Sequence, residues 1–245
     1  MENAQLIALS RQIALQRQMD VVANNMANLN TTGFKGEALQ FEDYLMPVDQ
    51  SVDFGWGDEL LHYTQDWGTR HNLMPGAIAQ TGNPLDIALQ GDGYLTILTP
   101  AGERYTRNGA LTLNESGELV TLDGYQVAGD GGPIVFAPGE TGITIGADGS
   151  VRSSAGSKGV LQIAEFDDPQ ALTREGSTLF VGEGALPAVA TRVVQGAIER
   201  SNVSGITEMS EMIRITRSYT SLAKLMEQQD QLRQQAIQSL GSLSA

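Results

Sequence analysis

TEMSEMIRITRSYTSLAKLMEQQDQLRQQAIQSL, residues 207–240, is the stretch whose reading decides the fold. It holds neither Gly nor Pro. Steps of three and four from Met212 give Ile215, Tyr219, Leu222, Met226, Gln229, Arg233, Ala236 and Leu240. Of those nine positions seven are apolar, the spacing that keeps one seam on one side of an α-helix. At about 1.5 Å per residue such a helix is roughly 50 Å long. A rod of that length exposes its seam unless something covers it, and the best cover lies at the other end of the chain.

Residues 1–32 are also free of Gly and Pro. Ala8, Gln12, Leu15, Met19, Val22, Met26 and Leu29 follow the same spacing, and Leu6, Leu9 and Ile13 widen the apolar face. The pattern predicts a helix from about Asn3 to Asn28, with Gly33 beyond its end as a stop signal. The two terminal helices are expected to pack as an antiparallel or oblique pair. Both faces are wider than one neighbour can cover, which points to further partners.

Charge supports a division between ends and middle. The 245 residues carry a formal net charge of -14. Residues 1–32 balance Glu2 and Asp20 against Arg11 and Arg17. Residues 206–240 balance Glu208, Glu211, Glu227 and Asp230 against Arg214, Arg217, Lys224 and Arg233. The whole excess therefore lies in the middle, which argues against nucleic acid and anionic membrane surfaces as partners. Neutral ends suit dense packing. Cys is absent, which removes disulfides, thiolate metal sites and a Cys nucleophile. No run of 18 apolar residues exists to span a membrane. The apolar start is broken by Ser10, Arg11, Gln12 and Gln16, so it does not read as a secretory signal.

Asn24, Asn25, Asn28 and Asn30 crowd the end of the first helix. Asn and Thr compete with helical hydrogen bonds and favour helix ends, yet Asn24 and Asn25 precede the stop by several residues. The run Val22-Ala23-Asn24-Asn25-Met26-Ala27-Asn28-Leu29-Asn30-Thr31-Thr32-Gly33-Phe34-Lys35 resembles the N-terminal signature of the bacterial flagellar axial proteins, the rod and hook family. Thr81-Gly82-Asn83-Pro84-Leu85-Asp86-Ile87-Ala88-Leu89-Gln90-Gly91-Asp92-Gly93-Tyr94 resembles the entry to that family's β-domain. Gly196-Ala197-Ile198-Glu199-Arg200-Ser201-Asn202-Val203, leading to Glu208-Met209 and Met212-Ile213, resembles its C-terminal block. Ser204-Gly205-Ile206 departs from the regular run expected there. Within the family, the length and the short β-domain are most similar to a proximal rod subunit, with a distal rod subunit as the alternative.

Between the ends, residues 36–80 hold no sustained period. Phe41, Tyr44, Leu45, Met46, Trp56 and Trp67 lie there, in an Ω-type loop or an extended arm. From Asn83 the code changes to short strands. Strands are expected at Tyr94–Leu98, Ala110–Leu113, Glu118–Leu122, Ile143–Ile145, Ser150–Arg152 and Val160–Phe166. Turns at Pro100–Gly102, Asn114–Gly117, Asp123-Gly124 and Asp148-Gly149 give hairpin signals. These readings divide the chain into a core helix over 1–32, an arm over 33–82, an antiparallel β-domain over 83–195, and a return segment with a second core helix over 196–245. The expected fold class is α+β: long terminal helices packed in a coiled-coil-like core, with the β-domain inserted between them.

The sequence offers little chemistry. Gly91-Asp92-Gly93 lacks the third Gly of a dinucleotide turn and does not open a helix. Ser221-Leu222-Ala223-Lys224 spells Ser-x-x-Lys, but no companion motif follows and Leu222 belongs to the seam. His62 and His71 show no ligand spacing. Asp123, Asp130, Asp148, Asp167 and Asp168 sit in or beside turns, which need no catalytic explanation. Neither an enzyme nor a cofactor site is expected.

The family resemblance implies a structural subunit of the flagellar rod, in the periplasm, that assembles with neighbouring rod subunits. It also implies export through the flagellar type III apparatus without a cleaved signal. Assembly contacts are then expected from Leu15, Met19, Val22, Met26, Leu29, Phe34, Met212, Ile215, Tyr219, Leu222 and Met226. Asn24, Asn25, Asn28 and Asn30 would satisfy polar groups between chains and fix register. Two other classes stay open. A secreted binding module would hold an apolar pocket with convergent polar groups in its β-domain. A cell-wall hydrolase would need two carboxylates at a fixed separation in a cleft.

Overall fold

A computed structural model describes the backbone of residues 2–46 and 61–242, with side chains over 6–40, 68–236 and 238. The chain forms two compact units. The helical unit takes residues 1–26, 37–70 and 204–245; the β unit takes 27–36 and 71–203.

In the helical unit, α1 spans Glu2–Ala27 and α2 spans Gly205–Ser242. The break at Ser204-Gly205-Ile206 does not delay the second helix, which begins at Gly205; Glu208 N donates to Ser204 O at 3.0 Å. Among the described residues, polar contacts join the helices. Gln12 Nε2 donates to the Tyr219 hydroxyl at 2.8 Å, Gln18 Nε2 to Glu211 Oε1 at 3.2 Å, and Asn25 Nδ2 to Glu208 Oε2 at 3.4 Å. Residue numbers rise along α1 as they fall along α2, so the pair is antiparallel.

This pairing corrects the expected fold class, because a coiled-coil-like core is not what the helices build. A coiled coil buries large apolar knobs in successive heptads. Here α1 buries the small side chains Ala8, Ala14 and Val22 with Asn25, and Ile215 is the buried side chain of α2 among the described residues. At the seam Gln12 meets Tyr219 through a hydrogen bond where a coiled coil would set an apolar knob. Four α2 hydroxyls, of Ser210, Thr216, Ser218 and Thr220, donate back to carbonyls one turn earlier. Such bonds favour caps over helix interiors, so α2 relies on packing for its stability.

Nor is the β structure a single insert between the helices. β1 (Glu37–Met46) and β2 (Leu61–His71) pair as a two-stranded sheet where an irregular arm was expected. Over Glu37, Ala38, Leu39 and Gln40, half-buried and exposed residues alternate, the two-residue period of a strand. Trp56 and the side chains of Phe41, Tyr44, Leu45, Met46, His62 and Trp67 lie outside the described residues.

In the β unit, β3 (Ile78–Gln80) and β4 (Ile87–Gln90) precede the main sheet. Its central strands are β5 (Tyr94–Thr99) and β6 (Gly102–Thr106), joined at the expected Pro100–Gly102 turn. β7 (Leu111–Leu113), β8 (Leu119–Thr121) and β9 (Gln126–Gly129) extend it as a meander, and β10 (Gly132–Pro133) pairs with β9. β11 (Thr144–Ile145), β12 (Ser150–Ser153) and β13 (Gly156–Val160) form a separate three-stranded sheet. β14 (Ile163–Glu165), β15 (Thr173–Glu175), β16 (Leu179–Val181) and β17 (Leu186–Pro187) return to the main sheet. β18 (Arg192–Gln195) pairs with β4, and β19 (Ala197–Glu199) pairs with β3. These last two pairs bring the C-terminal block back beside residues 78–90.

The alternation in β5 divides the core in two. Leu95 and Ile97 enter an aliphatic cluster with Leu119, Val127 and Val151. Tyr94 faces the other way into a cluster with Tyr105, Phe166, Leu172 and Phe180. The expected strand from Val160 to Phe166 is interrupted at residues 161–162. There the chain passes from the three-stranded sheet to the main one, and Gln162 both donates to Ala128 O and accepts from Thr96 N.

Candidate assembly surface

The N-terminal signature divides between the two units. Gly33, Phe34 and Lys35 are buried inside the β unit. Gly33 has φ +68°, the left-handed region, and a Cβ there would lie 2.3 Å from the Arg107 carbonyl carbon. The residue therefore does more than stop a helix: its lack of a side chain lets the segment press against Arg107-Asn108. Gly33 N donates to Glu199 O at 2.8 Å. The Arg174 guanidinium lies over the Phe34 ring, 4.4 Å from its centroid, and donates to Lys35 O. Asn202 grips the same segment. Its Oδ1 accepts from Gly36 N at 2.8 Å, while its Nδ2 donates to Asn72 O and Met74 O.

Lys35 ends in a buried ion pair. Its Nζ lies 2.6 Å from Glu199 Oε1, with side-chain exposures of 1% and 2%. It also donates to Met74 O at 2.9 Å. Glu199 Oε1 accepts from Gly76 N at 2.7 Å, and its Oε2 lies 3.6 Å from Arg107. Two cations thus share one carboxylate. Burial pushes the Lys35 ammonium below the usual lysine range, and Glu199 opposes that push. Arg107 also sits over the Tyr94 ring at 4.9 Å; burial raises the Tyr94 phenol, and Arg107 opposes the rise. The three sequence blocks singled out above therefore meet, through Lys35, Glu199 and Tyr94, in one internal cluster.

Asn25 belongs to the helical unit and is 3% exposed. Its Nδ2 donates to Glu37 O at 2.8 Å and its Oδ1 accepts from Glu37 N at 3.0 Å, a two-point clasp on the first residue of β1. Burial raises the Glu208 carboxyl above the usual range, while the Asn25 bond opposes the rise. Asn28 Oδ1 accepts from the Thr31 hydroxyl at 3.0 Å, and Asn24 and Asn30 are exposed.

The helical seam faces inward. Leu15, Met19 and Met26 are half-buried and Val22 is buried; on α2, Met212, Tyr219, Leu222 and Met226 are half-buried and Ile215 is buried. Leu29, also half-buried, lies beyond the end of α1, in the β unit. The second apolar stripe is the open one. Leu6, Leu9 and Ile13 are each about half exposed. On α2, Ile206 (83%), Met209 (57%) and Ile213 repeat the same three-four spacing, and Leu225 and Leu232 follow. Isolated exposed apolar residues are ordinary; here they recur at three-four spacing on each of two paired helices.

Comparison with known proteins follows the same plan. Residues 6–35 match the family described as flagella basal body rod protein. Residues 88–153 match the flagellar hook protein FlgE/F/G D1 domain, and residues 194–239 the flagellar basal body rod FlgEFG protein C-terminal family. The flagellar basal-body rod protein FlgF of Caulobacter vibrioides is 35% identical over 248 residues, covering 100% of both chains. That of Mesorhizobium japonicum is 35% identical with the same coverage. The flagellar basal-body rod protein FlgG of Borreliella burgdorferi is 32% identical and covers 92% of this chain and 94% of its own. The chain belongs to the flagellar basal-body rod protein family. It is a FlgF-like structural subunit of the flagellar basal-body rod.

Membership changes how the candidate residues are read. Phe34 and Asn25 are engaged inside the subunit itself, the first beneath Arg174 and the second on Glu37. The buried set Lys35, Arg107 and Glu199, with half-buried Asn202 beside it, was not singled out by sequence reasoning as a site. Lys35 and Glu199 stand in the quoted blocks, but nothing local to either signals a partner 164 positions away. His71 is a core residue: its Nε2 lies 2.9 Å from Leu172 O and its ring meets Phe180 edge-on. Among the described residues no group of His, Cys, Asp and Glu could hold a metal ion, and no helix is long and apolar enough to cross a membrane.

Proposed function

We propose that the exposed stripes of α1 and α2 carry this subunit into the proximal rod, where it packs against neighbouring rod proteins and helps transmit torque. The observation that carries the reading is the repetition of large exposed apolar residues along both helices, Leu6, Leu9 and Ile13 with Ile206, Met209 and Ile213. Burying one such side chain is worth about 1.5–3 kcal/mol, so two stripes offer ample driving force for lateral packing. The inward seam, from Leu15 to Met26 and from Met212 to Met226, then holds the subunit's own helices in the geometry that neighbours meet. The exposure of Asn30 supports polar contacts from the signature to other chains.

The reading extends to delivery. Helices whose stability depends on partners suit passage through the flagellar type III apparatus in an unfolded state, followed by assembly in the periplasm without a cleaved signal. The role requires neither catalysis nor a cofactor. The test is complementation of a strain lacking this gene with Leu9→Asp and Ile213→Asp variants. Export is expected to persist while the subunit is absent from purified basal bodies and motility is lost. Normal incorporation of the double variant would refute the stripe assignment.

A further inference from the structure

β6, β5, β14 and β17 lie side by side in the β unit, and across them runs an open groove of about 330 Å3. Leu186 and Pro187 form one wall, Gln162 and Thr96 lie in the lining, and Glu103 and Asp148 contribute the acidic groups. The volume is at the low end of the range for ligand pockets, about 300–1,000 Å3, enough for a side chain and its flanking backbone.

Three features specify the occupant. Thr96 is fully buried, and its Oγ1 lacks a hydrogen-bond partner among the described residues. A buried hydroxyl left unpaired is costly unless something supplies the bond. Second, Glu103 and Asp148 form no salt bridge among the described residues. Asp148 Oδ1 accepts from Ser150 N at 3.1 Å and Ser150 Oγ at 2.7 Å, bonds that favour its ionised form. Third, the β unit carries 15 acidic and 8 basic residues, a net charge of -7. The lining therefore combines hydrogen-bond acceptors and negative charge with an exposed apolar wall. A lysine fits that combination, since its alkyl stem covers apolar surface while its ammonium only donates.

We infer that this groove docks an extended, lysine-bearing segment of another protein chain. The stem lies along Leu186 and Pro187 above the buried Thr96, and the ammonium faces the acidic groups of the lining, Glu103 and Asp148. This contact is separate from the helical stripes, and its test does not depend on rod assembly.

The probe is a pentapeptide of alternating Val and Lys, with its Val and Glu counterpart as control, titrated into the 15N-labelled full chain. The lysine peptide is expected to shift the Thr96 and Gln162 amides, with the effect suppressed by added salt; the glutamate peptide is expected to leave them in place. Glu103→Gln combined with Asp148→Asn keeps the shape and removes the charge. It should weaken binding by about fivefold or more, the sum expected from two exposed ion pairs. Equal shifts with both peptides, no shift with either, or unchanged affinity in the neutralised variant would overturn the inference.

Discussion

Replacing Lys35 or Glu199 tests the internal cluster, and the structure makes the two substitutions unequal. Breaking a buried ion pair costs about 3–5 kcal/mol, because one charge is left without compensation. Lys35→Met leaves Glu199 with its Gly76 N–H at 2.7 Å and with Arg107 at 3.6 Å. The stranded charge is partly served, so the loss belongs at the low end, about 3 kcal/mol. Glu199→Gln strands two cations at once, Lys35 and Arg107, and belongs at the high end, about 5 kcal/mol. The paired change Lys35→Met with Glu199→Gln should cost less than the two single losses together, since each removes the same interaction. Urea unfolding followed by circular dichroism measures the order. Hydrogen exchange of peptides covering β5 to β9 confirms that the β unit is what opens. Equal losses for the two single variants, or a larger loss for Lys35→Met, would refute the shared-carboxylate account.

Asn25→Ala should cost about 2 kcal/mol, because it removes two backbone partners of Glu37 from a buried position. Asn25→Asp should not restore the loss, since the carboxylate would face Glu37 O and Glu208; early exchange of the Glu37 amide reports both. At acid pH the Glu140 carboxyl governs a separate loss. Lys158, Ser153 and the Ala137 N–H hold it at about 2, against an ordinary 4.5. The unfolded chain therefore binds more protons across that window, and the contribution is present above it and lost as pH falls towards 2. Thermal unfolding between pH 5 and 2.5 should decline less steeply for Glu140→Gln than for the parent.

Local physics was legible in the sequence where it was periodic. The three-four spacing located both helices, and the turns at Pro100–Gly102, Asp123-Gly124 and Asp148-Gly149 located hairpins. Each helix, however, carries two apolar stripes, and periodicity cannot say which one its own partner covers. Hydrogen bonding decided: Gln12 and Gln18 reach Tyr219 and Glu211, which turns the seam containing Ala8, Leu15 and Val22 inward and leaves Leu6, Leu9 and Ile13 outside. Strands such as β18 and β19 were missed because their partners, β4 and β3, lie about a hundred residues earlier. Lys35 was hidden for a different reason. Lysine is almost never fully buried unless paired, and its pair, Glu199, belongs to another block.

Three residues of the signature have demands set inside the subunit itself. Asn25 must be an amide, because it both donates to and accepts from one backbone residue. Gly33 must lack a side chain, because Arg107 occupies the space. Lys35 must be a cation, because Glu199 is already buried opposite it. All three demands come from closing the chain on itself, across contacts that tie Asn25 to Glu37 within the helical unit and residues 33–36 to residues 107, 199 and 202 within the β unit. The surface left to neighbours asks only for apolar bulk at the right spacing, which Leu, Ile and Met satisfy equally. The residues with the narrowest chemical requirements, Asn25, Gly33 and Lys35, therefore belong to the interior, and a test of the proposed assembly surface starts from the exposed stripes.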